Sequence, residues 1–302
     1  MFFAAGALVF LLNILGLNVS LEDAQQSDME QVNTENEIQE QTTEQDITTE
    51  ETMKVHFLDV NQGLAVLVQM GDEVLVYDGG ERDTSSFVVA YLKEQGVTEI
   101  DYLISSHYDA DHVSGLIGCL YAFDVKHVIG SNYVHDSKLY SSFMEAVEKE
   151  GLEVEYPAVG TQYAIGEASV TILSPKEIVG DSNSNSVAIK LSYGESDFIF
   201  TGDADYKSER EMVASGIDLD CEVLSVAHHG SASGTSEKFI EATTPEYAVI
   251  SCGKENSYGH PHKETLQILT DYGVEILRND ESGTIVVETD GESFQWIFEN
   301  NQ

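Results

Sequence analysis

Residues 104–112 read Ile-Ser-Ser-His-Tyr-Asp-Ala-Asp-His and place two imidazoles and two carboxylates within six residues. They directly follow an apolar run at residues 100–104, which predicts a buried strand. Neutral imidazole and carboxylate bind divalent metal ions in hydrolases, and a strand that leads into a helix directs several side chains to one point. The segment is therefore a candidate metal site at the end of a strand.

The side chains of this segment are expected to face two ions. In an extended chain residues two apart point the same way, so His107 and Asp109 share one ion. Asp111 and His112, where the chain turns into a helix that begins near Val113, face a second. The alternative is a polar surface loop in which the aspartates form turns and cap the helix.

Two further predicted strands end in metal-binding residue types. Residues 198–204 read Phe-Ile-Phe-Thr-Gly-Asp-Ala, and residues 223–231 read Val-Leu-Ser-Val-Ala-His-His-Gly-Ser. Buried strands that end in this way place their side chains at one edge of a sheet, where ligands collect in layered α/β proteins. This pattern favours a metal site over a surface loop.

The order of these motifs resembles the metallo-β-lactamase superfamily, and within it the soluble domain of ComEC-type competence (DNA-uptake) proteins. The resemblance implies a four-layer αββα sandwich, whereas periodicity alone indicates only an α/β or α+β protein. Seven motifs match, in family order, between about residue 53 and about residue 290. They begin at Phe57, Tyr77, His107, Asn183, Thr201, His228 and Asn256.

The resemblance implies two divalent metal ions bridged by Asp203. The superfamily pattern His-x-His-x-Asp-His has Asp109 in place of its second His, and a third His expected before Asp203 is missing. Both departures are typical of the competence subfamily. They make the first position richer in oxygen, which shifts its preference from zinc toward manganese or magnesium. The implied ligands are His107 and Asp109 for the first ion, and Asp111, His112 and His228 for the second.

Further residues are expected around the metals. Asp111 orients or deprotonates the attacking water, and His260, just before a predicted helix, contacts a phosphate or protonates the leaving group. Asp78 holds a ligand histidine by a hydrogen bond. The expected substrate contacts are Asn185, His229, Ser231 and His262, although His229 has the alternative of a structural hydrogen bond behind His228. No role is expected for the histidines outside the motifs, which are His56, His127 and His135.

Three segments differ in composition. Residues 1–21 are apolar and match a signal peptide, or a membrane anchor of marginal length. Residues 22–52 contain no basic, aromatic, Gly or Pro residue and predict a disordered acidic spacer. Residues 53–302 predict one hydrolase domain. We expect a secreted or membrane-anchored, extracytoplasmic protein; no later stretch matches a membrane span, so this polypeptide is not expected to form a channel.

The charge of the chain opposes nucleic-acid binding. It has 54 acidic and 14 basic residues, for a formal net charge of −40 at pH 7. Nucleic-acid binders usually carry the opposite sign, although two metal ions add positive charge locally and uniform acidity also aids solubility.

The motifs nevertheless favour a two-metal phosphodiesterase or nuclease that acts on DNA or another phosphoester, with manganese, magnesium or zinc. One alternative is hydrolysis of a lactone, thioester or β-lactam, because fold does not fix the substrate. Another is a noncatalytic binding module, against which the intact metal ligands argue.

Overall fold

The computed structural model describes residues 51–299. Its layered architecture is visible in the segment Ala65–Met70, where Val66 and Val68 face one apolar layer and Ala65 and Leu67 face another. A strand that is apolar on both faces lies between two other layers. This segment therefore belongs to a sheet that is covered on both sides.

Fifteen strands lie within the described residues. They are β1 Met53–Phe57, β2 Ala65–Met70, β3 Glu73–Gly79, β4 Glu99–Ile104, β5 Asp124–Ile129, β6 Val154–Glu155, β7 Gln162–Ile165, β8 Ala168–Ile172, β9 Ile189–Tyr193, β10 Ser196–Phe200, β11 Val223–Ser225, β12 Tyr247–Ile250, β13 Glu275–Arg278, β14 Thr284–Thr289 and β15 Phe294–Glu299. One sheet has the order β15-β14-β1-β2-β3-β4-β5-β6, and the other has the order β13-β12-β11-β10-β9-β8-β7.

Seven α-helices cover these sheets within the described residues. They are α1 Ser85–Glu94, α2 Ala110–Ala122, α3 Lys138–Lys149, α4 Tyr206–Val213, α5 Glu237–Thr243, α6 Lys263–Asp271 and α7 Asn279–Ser282. Two short 3-10 turns, Asn183–Asn185 and Ala227–Gly230, lie in loops that carry predicted motifs.

Three apolar clusters separate four layers. The central cluster joins the inner faces of both sheets and includes Phe57 and Phe200, whose rings are 6.0 Å apart. Helices α1, α2 and α3 pack on the outer face of the first sheet, with Leu116 of α2 fully buried. Helices α4, α5 and α6 pack on the outer face of the second sheet, with Phe239 and Leu269 buried. The expected αββα sandwich is confirmed.

Parallel strands bring the predicted motifs together at their C-terminal ends. Strands β3, β4, β5 and β6 run parallel in the first sheet, and β10, β11, β12 and β13 run parallel in the second. The chain therefore leaves each of these strands at the same edge of its sheet, which is where α/β folds collect ligands. Asp78, His107, Asp203 and His229 all lie in or just after such strand ends.

Helix α2 begins earlier than its apolar pattern predicts. The backbone N–H groups of His112 and Val113 both donate to the carbonyl oxygen of Asp109, at 3.1 Å. The helix therefore begins at Ala110 and not near Val113. Asp111 and His112 lie in its first turn, where the regular backbone holds their side chains in fixed directions.

The predicted N-terminal segments lie largely outside the described residues. Of residues 1–21 and 22–52, only Glu51 and Thr52 are described. Within residues 51–299, every helix is too short or too polar to cross a membrane. The division at residue 53 stays a prediction.

Gly115 lets α2 approach β3 closely. A Cβ atom at Gly115 would collide with the carbonyl oxygen of Gly79, and a Cβ at Gly79 would lie 2.5 Å from the backbone nitrogen of Leu116. At an unobstructed position inside a helix, Gly→Ala raises the free energy of unfolding by roughly 1 kcal/mol. We expect Gly115→Ala instead to lower the free energy of unfolding by about 2 kcal/mol or more, because α2 must move away from the backbone of β3.

Urea unfolding of the full chain measures this change. Gly180→Ala is the matched control, because a Cβ atom at Gly180 would have no neighbouring atom within 4 Å and the backbone there has no positive φ. An unfolding free energy for Gly115→Ala at or above that of the wild type would contradict the close contact.

His56 makes stability depend on pH. The ring is 2% exposed, its Nδ1 lies 2.9 Å from the Tyr91 hydroxyl, and burial, with Lys54 adding a smaller effect, lowers the pKa of His56 to about 4. Because the folded pKa is below the unfolded value near 6.5, the stability from neutral His56 is present above pH 6.5 and is lost as the pH falls toward 4. The loss is about 3 kcal/mol. Urea unfolding between pH 7 and 4 should therefore show a shallower decline for His56→Gln than for the wild type, and equal declines would contradict this role of His56.

Candidate metal centre

Asp203 lies just after β10, and its carboxylate stands between two groups of side chains. Oδ1 of Asp203 is 3.1 Å from Nε2 of His112 and 3.6 Å from Nε2 of His229. Oδ2 is 3.8 Å from Nε2 of His107 and 3.5 Å from Nε2 of His228. Each oxygen therefore belongs to a different cluster of potential ligands.

The cluster at Oδ1 of Asp203 contains Asp111, His112 and His229. Nε2 of His229 lies 3.2 Å from Nε2 of His112 and 3.2 Å from Oδ2 of Asp111. Oδ2 of Asp111 is 4.0 Å from Nε2 of His112. Atoms that surround one ion at about 2.1 Å lie roughly 3 to 4 Å from one another, and this cluster has that spacing.

His107 and His228 lie near Oδ2 of Asp203, and Asp109 lies beside His107; these three residues are named the cluster at Oδ2. The compact group of potential ligands on this side is His107 with His112 and Asp203. Nε2 of His107 lies 3.7 Å from Oδ2 of Asp109. The amide nitrogen of Asn183 lies beside this cluster, 3.4 Å from Oδ2 of Asp203. His107 and Asp109 therefore lie side by side, and their sharing of one ion stays a prediction.

Hydrogen bonds fix the tautomers of His107 and His112. Nδ1 of His112 lies 2.8 Å from Oδ2 of Asp78, a carboxylate oxygen that can only accept. Oγ of Ser106 donates to the same oxygen at 2.6 Å, so it accepts from Nδ1 of His107 at 3.0 Å. Both rings carry a proton on Nδ1 and present the lone pair of Nε2 to the cluster. The expected hydrogen bond between Asp78 and a histidine of the motif is present, with Asp78 as the acceptor.

Hydrogen bonds also fix the tautomers of His228 and His229. Nδ1 of His229 lies 2.9 Å from the carbonyl oxygen of Ser251, so it donates there. Nδ1 of His228 lies 3.1 Å from Oγ of Ser233, which donates its own proton to Ser231. All four rings therefore turn an Nε2 lone pair toward Asp203.

These lone pairs suit metal ions. Nε2 of His107 and Oδ1 of Asp203 are buried and lack a hydrogen-bond partner among residues 51–299. A buried polar atom without a partner costs about 1–3 kcal/mol. A divalent ion at Oδ1 of Asp203, between the Nε2 atoms of His112 and His229, would satisfy that oxygen and relieve the repulsion of the two lone pairs, and an ion at Nε2 of His107 would satisfy that nitrogen. The residues present therefore fit a metal centre.

The electrostatics of the cluster favour added positive charge. Burial opposes the charged form of His112, but Asp203, Asp78 and Asp111 outweigh burial and raise the pKa of His112 well above its usual range. Burial likewise opposes the charged form of Asp203, but His112 and His229 hold the pKa of Asp203 well below its usual range. The carboxylates thus attract either a proton on His112 or a metal ion, and the two compete.

The positions of His228 and His229 differ from the expected ones. The sequence predicts His228 at the ion of Asp111 and His112, with His229 as a substrate contact or a support, yet His229 lies with Asp111 and His112. Both residues have left-handed backbone, with φ of 51° and 56°, and the N–H of His228 donates to the carbonyl of Gly202 at 3.0 Å. This tight turn directs the two consecutive rings to opposite oxygens of Asp203.

Three predicted substrate contacts are used inside the fold. The Asn185 side chain is buried and bonds the backbone of Val179 and Asp181. Nδ1 of His262 accepts from the N–H of Ala232, and its Nε2 lies 3.3 Å from the carbonyl of Tyr258. Oγ of Ser231 is the acceptor for Ser233, and the residue is 7% exposed. The geometry disfavours substrate contacts for Asn185, Ser231 and His262, because each polar group already has a structural partner.

His260 lies at the rim of the cluster, with its ring 5.6 Å from that of His228. Nδ1 of His260 is 3.4 Å from Nε2 of Gln62, and Oε1 of Gln62 accepts from the N–H of Gly253. Burial, followed by the neighbouring His229, His228 and His262, lowers the pKa of His260 to about 4. The ring is therefore neutral at pH 7, with its proton on Nε2.

Several residues at the site were not predicted from the sequence. The cluster opens into a depression of about 160 Å³ whose lining includes Gln62, Asn183 and Tyr258. His135, expected to have no role, places Nε2 3.2 Å from Oδ1 of Asp109. Asn183 and Gln62 belong to motifs that were recognised, so the signal for them existed, whereas none existed for His135.

A larger groove of about 520 Å³ adjoins the depression and shares Gln62, Asp109, Asp111 and Tyr258 with it. Glu81 and Asp83 also line this groove, so four carboxylates face it. Tyr258 is 65% exposed, and its ring stacks on His260 at a centroid distance of 5.6 Å. The groove combines an acidic wall with an aromatic surface.

The sequence profile described as the Metallo-beta-lactamase superfamily matches residues 58–254. The chain belongs to this superfamily. The match begins at the motif after β1 and includes the residues of both clusters. The fold-level similarity agrees: the metallo-beta-lactamase fold protein YhfI from Bacillus subtilis superposes with a TM-score of 0.54 at 17% identity, over 79% of this chain and 100% of that one.

Two curated relatives show which proteins within the superfamily are similar to this chain. ComE operon protein 3 of Bacillus subtilis (strain 168) is 31% identical over 253 residues, which cover 77% of this chain and 32% of the relative. Competence protein ComA of Neisseria gonorrhoeae is 30% identical over 236 residues, or 75% of this chain and 31% of the relative. The chain thus spans about a third of the length of the curated relatives it matches.

The hydrogen bond from Asp78 to His112 generates a prediction about metal affinity. Asp78 has φ of 58°, a conformation that Asn also tolerates. Asp78→Asn therefore replaces the carboxylate that is bonded to His112 by a neutral amide without straining the backbone. Bonds of this kind orient a ligand and raise its basicity, and their loss typically weakens metal binding 10- to 100-fold. We expect that loss for Mn²⁺ in calorimetric titration of the full chain.

The exposed Asp72→Asn, at a turn outside the centre, is the control. Mn²⁺ affinity for Asp78→Asn equal to that of this control would remove Asp78 from the metal centre.

Proposed function

We propose that the chain is a two-metal phosphodiesterase that cleaves DNA. The observation that carries the proposal is the carboxylate of Asp203, whose two oxygens face two separate clusters of imidazole and carboxylate. Paired metal sites with a shared ligand suit displacement at phosphorus, because one ion serves the attacking oxygen and the other the leaving oxygen.

Two divalent ions would be held by seven side chains. Asp203 would be shared, and each ion would have two imidazole nitrogens and two carboxylate oxygens. When bound, such ions supply Lewis-acid activation of water and of the phosphoester. The ligands are His107, Asp109 and His228 for the first ion, and Asp111, His112 and His229 for the second.

With these ligands, the two metal positions do not differ in nitrogen content as the sequence predicted. Because His228 joins His107, the first position is no poorer in nitrogen than the second. Two imidazoles with two carboxylates suit manganese, and they accept magnesium less readily because magnesium prefers oxygen ligands. Zinc also fits a mixed set of nitrogen and oxygen ligands. Manganese is therefore the ion we expect to support activity best.

Asp111 orients the attacking water in this proposal. Burial opposes its charge, but His112 and His229 hold the pKa of Asp111 far below its usual range. Asp111 therefore remains a carboxylate and is a poor proton acceptor. It can accept a hydrogen bond from a water at the exposed face of the cluster, which is the orienting role and not the deprotonating one.

His260 contacts the substrate as a neutral hydrogen-bond donor. Gln62 donates to Nδ1, so the ring proton is on Nε2, beside the depression that the two clusters share. A neutral imidazole N–H binds a phosphate oxygen and stabilises charge that develops there. This role replaces the predicted protonation of the leaving group, since the low pKa leaves no imidazolium at pH 7.

DNA is proposed as the substrate because a relative at 30% identity is named a competence protein. Hydrolysis of a small lactone or thioester is the second candidate. Glu81 and Asp83, the two carboxylates of the adjoining groove that are not proposed metal ligands, favour it, because they repel the phosphates of a long strand.

The test is hydrolysis by the full chain, prepared metal-free and then supplied with Mn²⁺, Mg²⁺ or Zn²⁺. The substrates are single- and double-stranded DNA, bis(p-nitrophenyl) phosphate, a lactone and a thioester. We expect cleavage of DNA and of the phosphodiester with Mn²⁺. Asp203→Asn should lower kcat/KM about 10³-fold, because the loss of the shared charge removes several kcal/mol of transition-state stabilisation.

His127→Gln, at an exposed ring of β5, is the control for nonspecific loss. His228→Ala and His229→Ala should each reduce Mn²⁺ stoichiometry from two to one, since each ring belongs to a different cluster. Cleavage of the lactone or thioester without cleavage of either phosphodiester would select the second candidate. Hydrolysis of no substrate, with two ions bound, would refute both.

A further inference from the structure

His135 lies outside every motif, in the loop between β5 and α3. Strand β5 runs parallel to β4, which leads into His107 and Asp109, so the two loops leave the sheet at the same edge. The His135 side chain is 22% exposed and faces the metal centre. Its ring packs against Tyr133 with a centroid distance of 6.2 Å.

Two contacts determine how His135 is protonated. The backbone N–H of Ser137 donates to Nδ1 of His135 at 3.0 Å. Nδ1 is therefore an acceptor, and the proton of the neutral ring is on Nε2. Nε2 lies 3.2 Å from Oδ1 of Asp109 and donates to it. The carboxylate of Asp136 is 3.9 Å from Nδ1, beyond hydrogen-bond reach.

Asp109 has an unusual orientation that this bond explains. It occupies the N-cap position of α2 with extended backbone, φ −75° and ψ 156°, where Asp normally bonds a free N–H of the first turn. Its side chain makes no such bond. The missing cap leaves the first turn of α2 less stable than a capped one. The carboxylate instead has Oδ1 against His135 and Oδ2 toward His107, at 3.7 Å from Nε2.

We propose that His135 is a positioning residue for the metal centre: it holds Oδ1 of Asp109 so that Oδ2 binds the first ion beside His107. This inference depends on the proposed two-metal centre. Asp109 is 35% exposed at its side chain and has Ser182 as a further polar neighbour, so without the donor of His135 its Oδ1 could turn toward Ser182, solvent or the end of α2. The donor on the neighbouring loop removes that freedom and leaves one oxygen for the metal.

The test is calorimetric titration of the full chain with Mn²⁺, together with the electron paramagnetic resonance spectrum of the bound ions. The wild type should bind two ions that give a magnetically coupled spectrum. His135→Phe keeps an aromatic ring but removes the donor. It should weaken one site 10- to 100-fold, leave the other unchanged, and convert the spectrum at one equivalent of Mn²⁺ to that of an isolated ion.

Two further variants keep the proposal testable if His135→Phe folds poorly. His135→Gln retains an N–H donor and should restore most of the lost affinity. His135→Glu places a carboxylate against Asp109 and should weaken the same site. His127→Phe, on the preceding strand, is the matched control for replacing a histidine by an aromatic ring.

The outcomes separate the two proposals. A wild type that binds no ion would refute the metal centre, and the role of His135 with it. Two tight sites in the wild type and also in His135→Phe would overturn only the role of His135. Equal weakening of both sites would also overturn it, because a residue that acts through Asp109 should affect one site.

Discussion

The candidate metal centre depends on one constraint: the fold holds the lone pairs of several histidines and of Asp203 close together, where they repel one another. Four imidazole Nε2 atoms and the carboxylate of Asp203 converge in a largely buried space, and each ring is held in that tautomer by a bond on its far side. Such an arrangement is unfavourable without cations. The hydrogen bonds behind the rings leave these lone pairs available to a cation, which is a metal ion in the proposed centre and a proton on His112 in its absence.

The backbone around the centre is strained, and the two sheets hold it in place. Asp78, His228 and His229 have left-handed φ, and Asp109 leaves its helix without a side-chain cap. Each departure costs on the order of 1 kcal/mol or more. These residues all lie at strand ends, where parallel neighbours fix the chain on one side. The large apolar core between the sheets thus provides the rigidity that the site requires.

The sequence predicted those parts of the site that depend on strand ends. Asp78, His107, Asp203 and the histidine pair all follow apolar runs, and parallel strands bring such positions to one edge. It did not predict what depends on a single turn or on a distant partner. The left-handed turn that separates His228 from His229 has no pattern in the sequence. The sequence therefore placed His228 with Asp111 and His112 and gave His229 only a substrate or supporting role, whereas His229 lies with those two residues. His135 acts through a contact between loops, which composition and spacing do not reveal.

The acidity of the chain affects how a substrate is bound. With a formal net charge of −40, the chain repels phosphates at long range, and Glu81 and Asp83 in the groove beside the centre add to that repulsion. Few basic side chains are available to neutralise a strand, so affinity for the proposed DNA substrate would have to come from the proposed ions and from short contacts with Tyr258 and His260. Binding of that kind favours one or two nucleotides at the centre over a long track. A sandwich that holds the proposed ions at one point would therefore limit the proposed nucleic-acid substrate to contacts at that point.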